Sequence, residues 1–148
     1  MAERNGRAKI SLPRYTLWLL VFRLFVPVVT YSIYLLSGIS VSLDGLLVTP
    51  LSVVLAVSIV GRRFARQTGR VATKAEARRF AVLALPRFLV VEFLVLLGAP
   101  LLFGRPDITQ EYIYFLTGEY ATFIWSLVGL FLLIAFLLNR WVVVFSAW

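Results

Sequence analysis

The stretch YATFIWSLVGLFLLIAFLLNR, Tyr120 to Arg140, opens with nineteen residues, Tyr120 to Leu138, that carry no charge. At about 1.5 Å of rise per residue this run makes a helix roughly 28 Å long, close to the ~30 Å hydrocarbon core of a bilayer. Lipid offers no water to the backbone, so a run of this kind crosses as a helix. Working outward, three more apolar runs have similar length, at approximately 15–37, 43–61 and 80–102. The composition agrees. Of 148 residues 61% are hydrophobic and 15% charged, where soluble domains average about 45–50% and about 25%. Mean hydropathy is +0.91. A soluble fold of this size has no interior large enough for that excess. The expected fold class is all-α: a polytopic membrane protein with four transmembrane helices, residues 1–148 forming a single integral membrane domain.

The segments between the runs have their own signals. Residues 1–14 carry Arg4, Arg7, Lys9 and Arg14 against Glu3. They read as a retained cytoplasmic tail, because the run that follows exceeds a signal-peptide core and no A-x-A cleavage pattern succeeds it. Span 1 contains Arg23 and Pro27, which predicts a kink, and Gly38 ends it. Span 2 is the least regular, holding Asp44, Gly45 and Thr49-Pro50; Thr49 as a cap would let the regular helix begin at Pro50. Gly69 reads as a helix stop, and Thr73-Lys74-Ala75-Glu76 has capping-box spacing. Residues 61–79 are therefore expected to form an ordered elbow between two helices. Within the external segment 104–119, Asp107 and Gln110 share that spacing and Gly118 reads as a stop, predicting a short interfacial helix over about 108–117. Asn139-Arg140 is expected to end span 4, and Trp141 to Trp148 returns to apolar character. Gly98-Ala99 and Ser126-x-x-Gly129 offer small surfaces for close helix approach.

Charge sets the orientation. The tail contributes +3 and the elbow +6, whereas the first external turn carries −1 and the second external segment −2. Lysine and arginine mark the cytoplasmic side, so the expected topology is N-in/C-in with span 2 crossing fully. Arginine supplies 13 of the 15 basic residues, a composition associated with GC-rich bacterial genomes, and the expected location is a bacterial inner membrane.

There is no histidine and no cysteine. This excludes thiolate nucleophiles, disulfides and the usual zinc and haem ligands, and it removes the commonest general base. The only aspartates are Asp44 and Asp107, neither deep in an apolar run, so a buried aspartate pair is excluded as well. No catalytic residue, cofactor or metal ligand is expected.

Three ionisable residues remain inside the spans: Arg23, Arg87 and Glu92. Each costs at least about 2.5–3.5 kcal/mol near the bilayer centre, so such groups pair or face a cavity. From their span starts Arg23 lies roughly 13 Å deep, Arg87 roughly 10 Å and Glu92 roughly 18 Å. An Arg23–Glu92 pair between spans 1 and 3 is expected. Arg87 and Glu92 sit about 140° apart around one helix and do not satisfy each other. Structural glue is the favoured role; the transport alternative makes Arg23 and Arg87 a site for an anionic group. The elbow cations Arg62, Arg63, Arg66, Arg70, Lys74, Arg78 and Arg79 set topology and are expected to contact anionic headgroups. With only Phe64 and Phe80 beside them, they do not read as a nucleic-acid surface.

Two resemblances enter here. Gly61-Arg62-Arg63-Phe64 with Gly69-Arg70-Val71-Ala72-Thr73-Lys74-Ala75-Glu76-Ala77-Arg78-Arg79 resembles the central loop of an uncharacterised family of small four-span bacterial membrane proteins, which implies no activity. Phe136-Leu137-Leu138-Asn139-Arg140-Trp141, followed by Val144-Phe145, is similar to the end of the last span in GtrA-like proteins. That resemblance implies a four-span bundle concerned with moving polyprenyl-phosphate-linked sugars across the membrane. A duplicated two-span unit in that family implies a like ending for span 2, which here reads Val60-Gly61-Arg62-Arg63-Phe64. The expected function is that of a non-enzymatic accessory, assembly or scaffold subunit, with membrane lipids and partner subunits or further copies as its contacts. The alternative is a small carrier or flippase for a lipid-linked anionic substrate.

Overall fold

A computed structural model describes residues 10–37, 45–102, 104 and 106–146, leaving aside the side chains at 26, 27, 30, 31, 33, 34, 45–47 and 102. The expectations placed on the tail 1–9, Gly38, Asp44, Arg105, residues 147–148 and the Pro27 ring lie outside these. Of the described residues 90% are helical and none is in a strand. The helices are α1 (Leu12–Ser37), α2 (Gly45–Thr68), α3 (Lys74–Leu102), α4 (Pro106–Thr117) and α5 (Ala121–Phe145). Val48–Thr68, Lys74–Leu101 and Ala121–Phe145 are each long and apolar enough to cross a membrane. This fits a membrane protein, as does the surface: Leu17, Phe25, Leu36, Val90, Phe123 and Leu133 are large apolar side chains left exposed, and a soluble monomer rarely shows apolar patches on that scale.

Several boundaries differ from the sequence reading. Helix α1 begins at Leu12, three residues early, because Pro13 in a first turn removes no helical hydrogen bond. Helix α2 begins at Gly45, not Pro50, and carries Pro50 in its second turn. A proline so near the start has little hydrogen-bond ladder behind it to break. Helix α2 also continues to Thr68, so residues 61–68 of the elbow are helical. There Gly69 takes φ +66°, a left-handed conformation that glycine adopts without a Cβ penalty, and its N–H closes on the Ala65 carbonyl at 2.8 Å. Helix α4 starts at Pro106, a residue preorganised for the first helical position, so Asp107 lies inside the first turn rather than ahead of it. Helix α5 runs through Asn139-Arg140 to Phe145; neither residue breaks a helix, and no glycine or proline follows.

The helices that pack side by side are α1 with α2 and α3, and α5 with α2, α3 and α4, with α4 also against α3. Viewed end on, the four long helices form the ring α1–α2–α5–α3. Tyr15 meets Phe80 and Arg23 meets Glu92, so α1 and α3 run the same way. Gly61 lies against Val143 and Ser146, while Thr49 and Val53 share a small cavity with Ile134 and Leu138. Helices α2 and α5 are thus also parallel to each other. Phe93 packs on Trp125 while Ala77 shares a groove with Trp141, which makes α5 antiparallel to α3. As a result the start of α1, the α2–α3 connection and the end of α5 gather at one end of the bundle.

The core is concentrated toward that end. Tyr15 and Leu19 of α1, Val53, Val57 and Val60 of α2, Phe80, Ala84, Phe88 and Val91 of α3, and Ala135 and Val143 of α5 form one buried cluster. Spacings of three and four place each set on one helical face. Of α5 only Ala135, Asn139 and Val143 are buried, so most of this most apolar helix faces outward. Close helix approach falls at Gly61 rather than at the expected small-residue positions. A Cβ on Gly98 or Gly129 would meet nothing within 4 Å, whereas one on Gly61 would collide with Ser146 Oγ and come within 3.2 Å of the Val143 carbonyl oxygen.

Candidate functional site

Arg23 and Glu92 meet across α1 and α3. The Arg23 Nε donates to Oε1 at 3.0 Å and to Oε2 at 3.1 Å, and Nη2 donates to Oε2 at 2.9 Å. The side chains retain 17% and 22% of their exposure. This is the planar two-point contact for which guanidinium is suited, and it engages both carboxylate oxygens. Arg87 lies one and a half turns nearer the α3 start and takes a different partner: its Nη1 donates to Thr16 Oγ1 at 3.4 Å, and that hydroxyl donates to the Leu12 carbonyl at 3.0 Å. Arg87 and Glu92 are not joined.

Beside the ion pair, toward the opposite end of the bundle from the elbow, an apolar cavity of about 330 Å³ opens between α3 and α5; Thr49, Phe88, Leu116 and Phe131 line it with Arg23 and Glu92. Helix α4 lies over this region. Its Thr109 hydroxyl donates to the Leu97 carbonyl of α3 at 3.2 Å, and Trp125 Nε1 of α5 donates to the Leu116 carbonyl at 3.1 Å.

Two residues that sequence reasoning missed sit in the centre of the packed end. Tyr15 and Asn139 are both fully buried. Their side chains approach across the bundle, yet neither the hydroxyl nor the carboxamide completes a hydrogen bond of good geometry among the described residues. Asn139 next to Arg140 looks like the polar end of a span. The signal that finds it is its spacing of four from both Ala135 and Val143, the buried stripe of α5.

The elbow is held by its own side chains. Thr73 Oγ1 accepts from the Glu76 N–H at 3.3 Å and Glu76 Oε2 accepts from the Thr73 N–H at 2.9 Å, the reciprocal geometry of a capping box. Arg70 donates to both Glu76 oxygens at 2.8 Å and lies 5.5 Å over the Phe64 ring. These contacts fall in the charged first turn of α3, ahead of the apolar stretch that opens at Phe80. Arg70 beside it, and then the Thr73 N–H, bring the Glu76 carboxyl from an ordinary 4.5 down to about 2.

All seven elbow cations are exposed, but they are not equivalent. Arg62, Arg66 and Arg70 line a cavity of about 540 Å³ with Gly69, Val71 and Ser146. Arg63 faces Arg14 and Trp18 across a cleft of about 100 Å³. Lys74 shares a groove of about 260 Å³ with Arg140 and Trp141. Arg78 and Arg79 line none of these. Among the described residues no group of three carboxylates is placed to hold a metal ion.

Among the described residues, fold and site together define an all-helical bundle of membrane type, strongly cationic at one end, with the Arg23–Glu92 pair closed within its apolar length. Compared with protein-family models, with curated proteins and with solved structures, the chain matches none.

Proposed function

We propose that the chain crosses the bacterial inner membrane four times, with both termini and the elbow on the cytoplasmic side, and acts as a non-enzymatic accessory, assembly or scaffold subunit of a larger membrane complex. Helix α1 supplies the fourth crossing, its 26 residues reaching roughly 39 Å against a hydrocarbon core of ~30 Å. The gathering of Arg14, the elbow cations and Arg140 at one end, with Asp107, Glu111 and Glu119 toward the other, supports the orientation. On this reading α4 lies at the external interface, its Ile113 and Tyr114 exposed to the headgroup region that aromatic residues favour.

The closed Arg23–Glu92 pair carries the accessory reading. On the carrier reading Arg23 would exchange Glu92 for the anionic substrate, whereas here its guanidinium engages both oxygens of that carboxylate. The pair fixes α1 against α3, and the outward face of α5 is left for lipid or a partner subunit. The cavity beside Glu92 favours the second reading, a small carrier for a lipid-linked anionic substrate.

Purification from native membranes in mild detergent separates the two. A stoichiometric protein partner is expected for an accessory subunit. Isolation without one, together with loss of substrate movement in a folded Glu92→Gln variant, gives the carrier reading its place.

A further inference from the structure

We propose that the cavity between the end of α2, the turn that follows it and the end of α5 binds a phosphate-bearing anion, with Arg62 and Arg66 as its charged contacts. The site is independent of whether the protein is an accessory subunit or a carrier.

Arg62 and Arg66 are four residues apart on α2, so their side chains rise from one helical face. Like charges at that spacing destabilise a helix, and neither forms an ion pair among the described residues. Arg70, the third cation of the wall, is different, since Glu76 already holds its guanidinium at two points. The cavity therefore presents two uncommitted guanidinium groups against a third that is fixed in place. Ser146, just beyond the end of α5, completes the wall, its buried Oγ turned against Gly61.

The chemistry of the ligand follows from the donors. Paired planar guanidinium forks match the oxygens of phosphate, where ammonium groups act only as point charges. At about 540 Å³ the space falls in the ordinary range of ligand sites, about 300–1,000 Å³, and takes a phosphate together with a glycerol or a second phosphate. Its position at the cationic end of an apolar bundle is where basic pockets between membrane helices meet lipid headgroups. The other two basic grooves are weaker: the Arg14–Arg63 cleft is about 100 Å³, and the Lys74–Arg140 groove is walled by Trp141, Val144 and Phe145.

The test uses the full chain, measured for binding of phosphatidylglycerol by native mass spectrometry and of pyrophosphate by calorimetry. Saturable binding of at least one is expected. Arg62→Gln/Arg66→Gln should weaken it by about thirtyfold, the combined effect of two interfacial cations, while Arg78→Gln/Arg79→Gln, which removes the same charge, weakens it less than about twofold. Arg62→Lys/Arg66→Lys keeps the charge and loses the fork, and should fall between. Binding of the lipid alone identifies a headgroup as the source, and binding of pyrophosphate alone a soluble anion. Each variant is checked for helicity and for elution as a single species. Failure of both ligands to bind overturns the proposal. Equal losses in the two glutamine pairs overturn it too, because the whole cationic face would then be responsible.

Discussion

Arg23 and Glu92 join α1 to α3 through a contact in which Nε and Nη2 of one guanidinium reach both oxygens of one carboxylate, the shortest at 2.9 Å. Sixty-nine residues separate them in the chain, and each alone would be an uncompensated charge inside an apolar helix. Removing one partner of such a pair costs about 3–5 kcal/mol, whereas replacing both with apolar residues of similar volume is often neutral or stabilising. Arg23→Met or Glu92→Leu alone should therefore lower the thermal midpoint in detergent sharply. The Arg23→Met/Glu92→Leu double variant should recover most of the loss and retain any native partner. A double variant as unstable as the worse single would mean that the pair does more than hold the two helices.

The contact of Gly61 with Ser146 makes a second prediction. A Cβ at Gly61 meets Ser146 Oγ and the Val143 carbonyl, so Gly61→Ala should destabilise the α2–α5 interface by about 1–3 kcal/mol, the usual range for overpacking. Ser146→Ala removes the nearer obstacle. A double-mutant cycle read by unfolding should show coupling between the two sites, with Gly61→Ala/Ser146→Ala more stable than Gly61→Ala. Additive effects would contradict the close approach.

At the centre of the packed end, Tyr15 and Asn139 bury polar atoms without completed hydrogen bonds. Such groups carry a desolvation cost that apolar replacements of like shape avoid. Tyr15→Phe/Asn139→Leu should therefore leave the thermal midpoint unchanged or raise it. A marked fall would show that the two side chains stabilise the bundle.

The elbow has a pH dependence whose sign follows from Glu76. Its carboxyl titrates at about 2 in the folded chain against an ordinary 4.5. The stabilisation is thus fully present above the ordinary value and is lost as pH falls from there through about 2. Hydrogen exchange at Thr73 and Glu76, corrected for intrinsic rates, should show local opening that grows over that window. In Glu76→Gln the opening should already be present at neutral pH and change little on acidification. A pH-independent elbow in the unmodified chain would contradict the assignment.

The elbow was legible in the sequence because its signals are local: Gly69, Thr73 and Glu76 each act within four residues. The Arg23–Glu92 contact was legible from depth, since two opposite charges at similar depth in apolar helices have few alternatives. The ring order α1–α2–α5–α3 was not. In lipid both the core face and the outer face of a helix are apolar, so α3 and α5 carry little periodicity to show which side is buried. Asn139 reads as an end because polar residues usually terminate apolar runs, but its place on the Ala135–Val143 stripe draws it into the core. Pro50 misled for a related reason, since a proline tolerated in the second turn of a helix looks the same in sequence as one that starts it.

The central claim is a four-crossing bundle with its cationic end in the cytoplasm. The absence of cysteine makes it directly measurable. Single variants Gln67→Cys, at the exposed end of α2, and Glu119→Cys, between α4 and α5, are expressed in whole cells and treated with a membrane-impermeant maleimide. Labelling of Glu119→Cys in intact cells, and of Gln67→Cys only after the membrane is opened, is the predicted result. Labelling of Gln67→Cys from outside, or of both positions from the same side, would contradict the account.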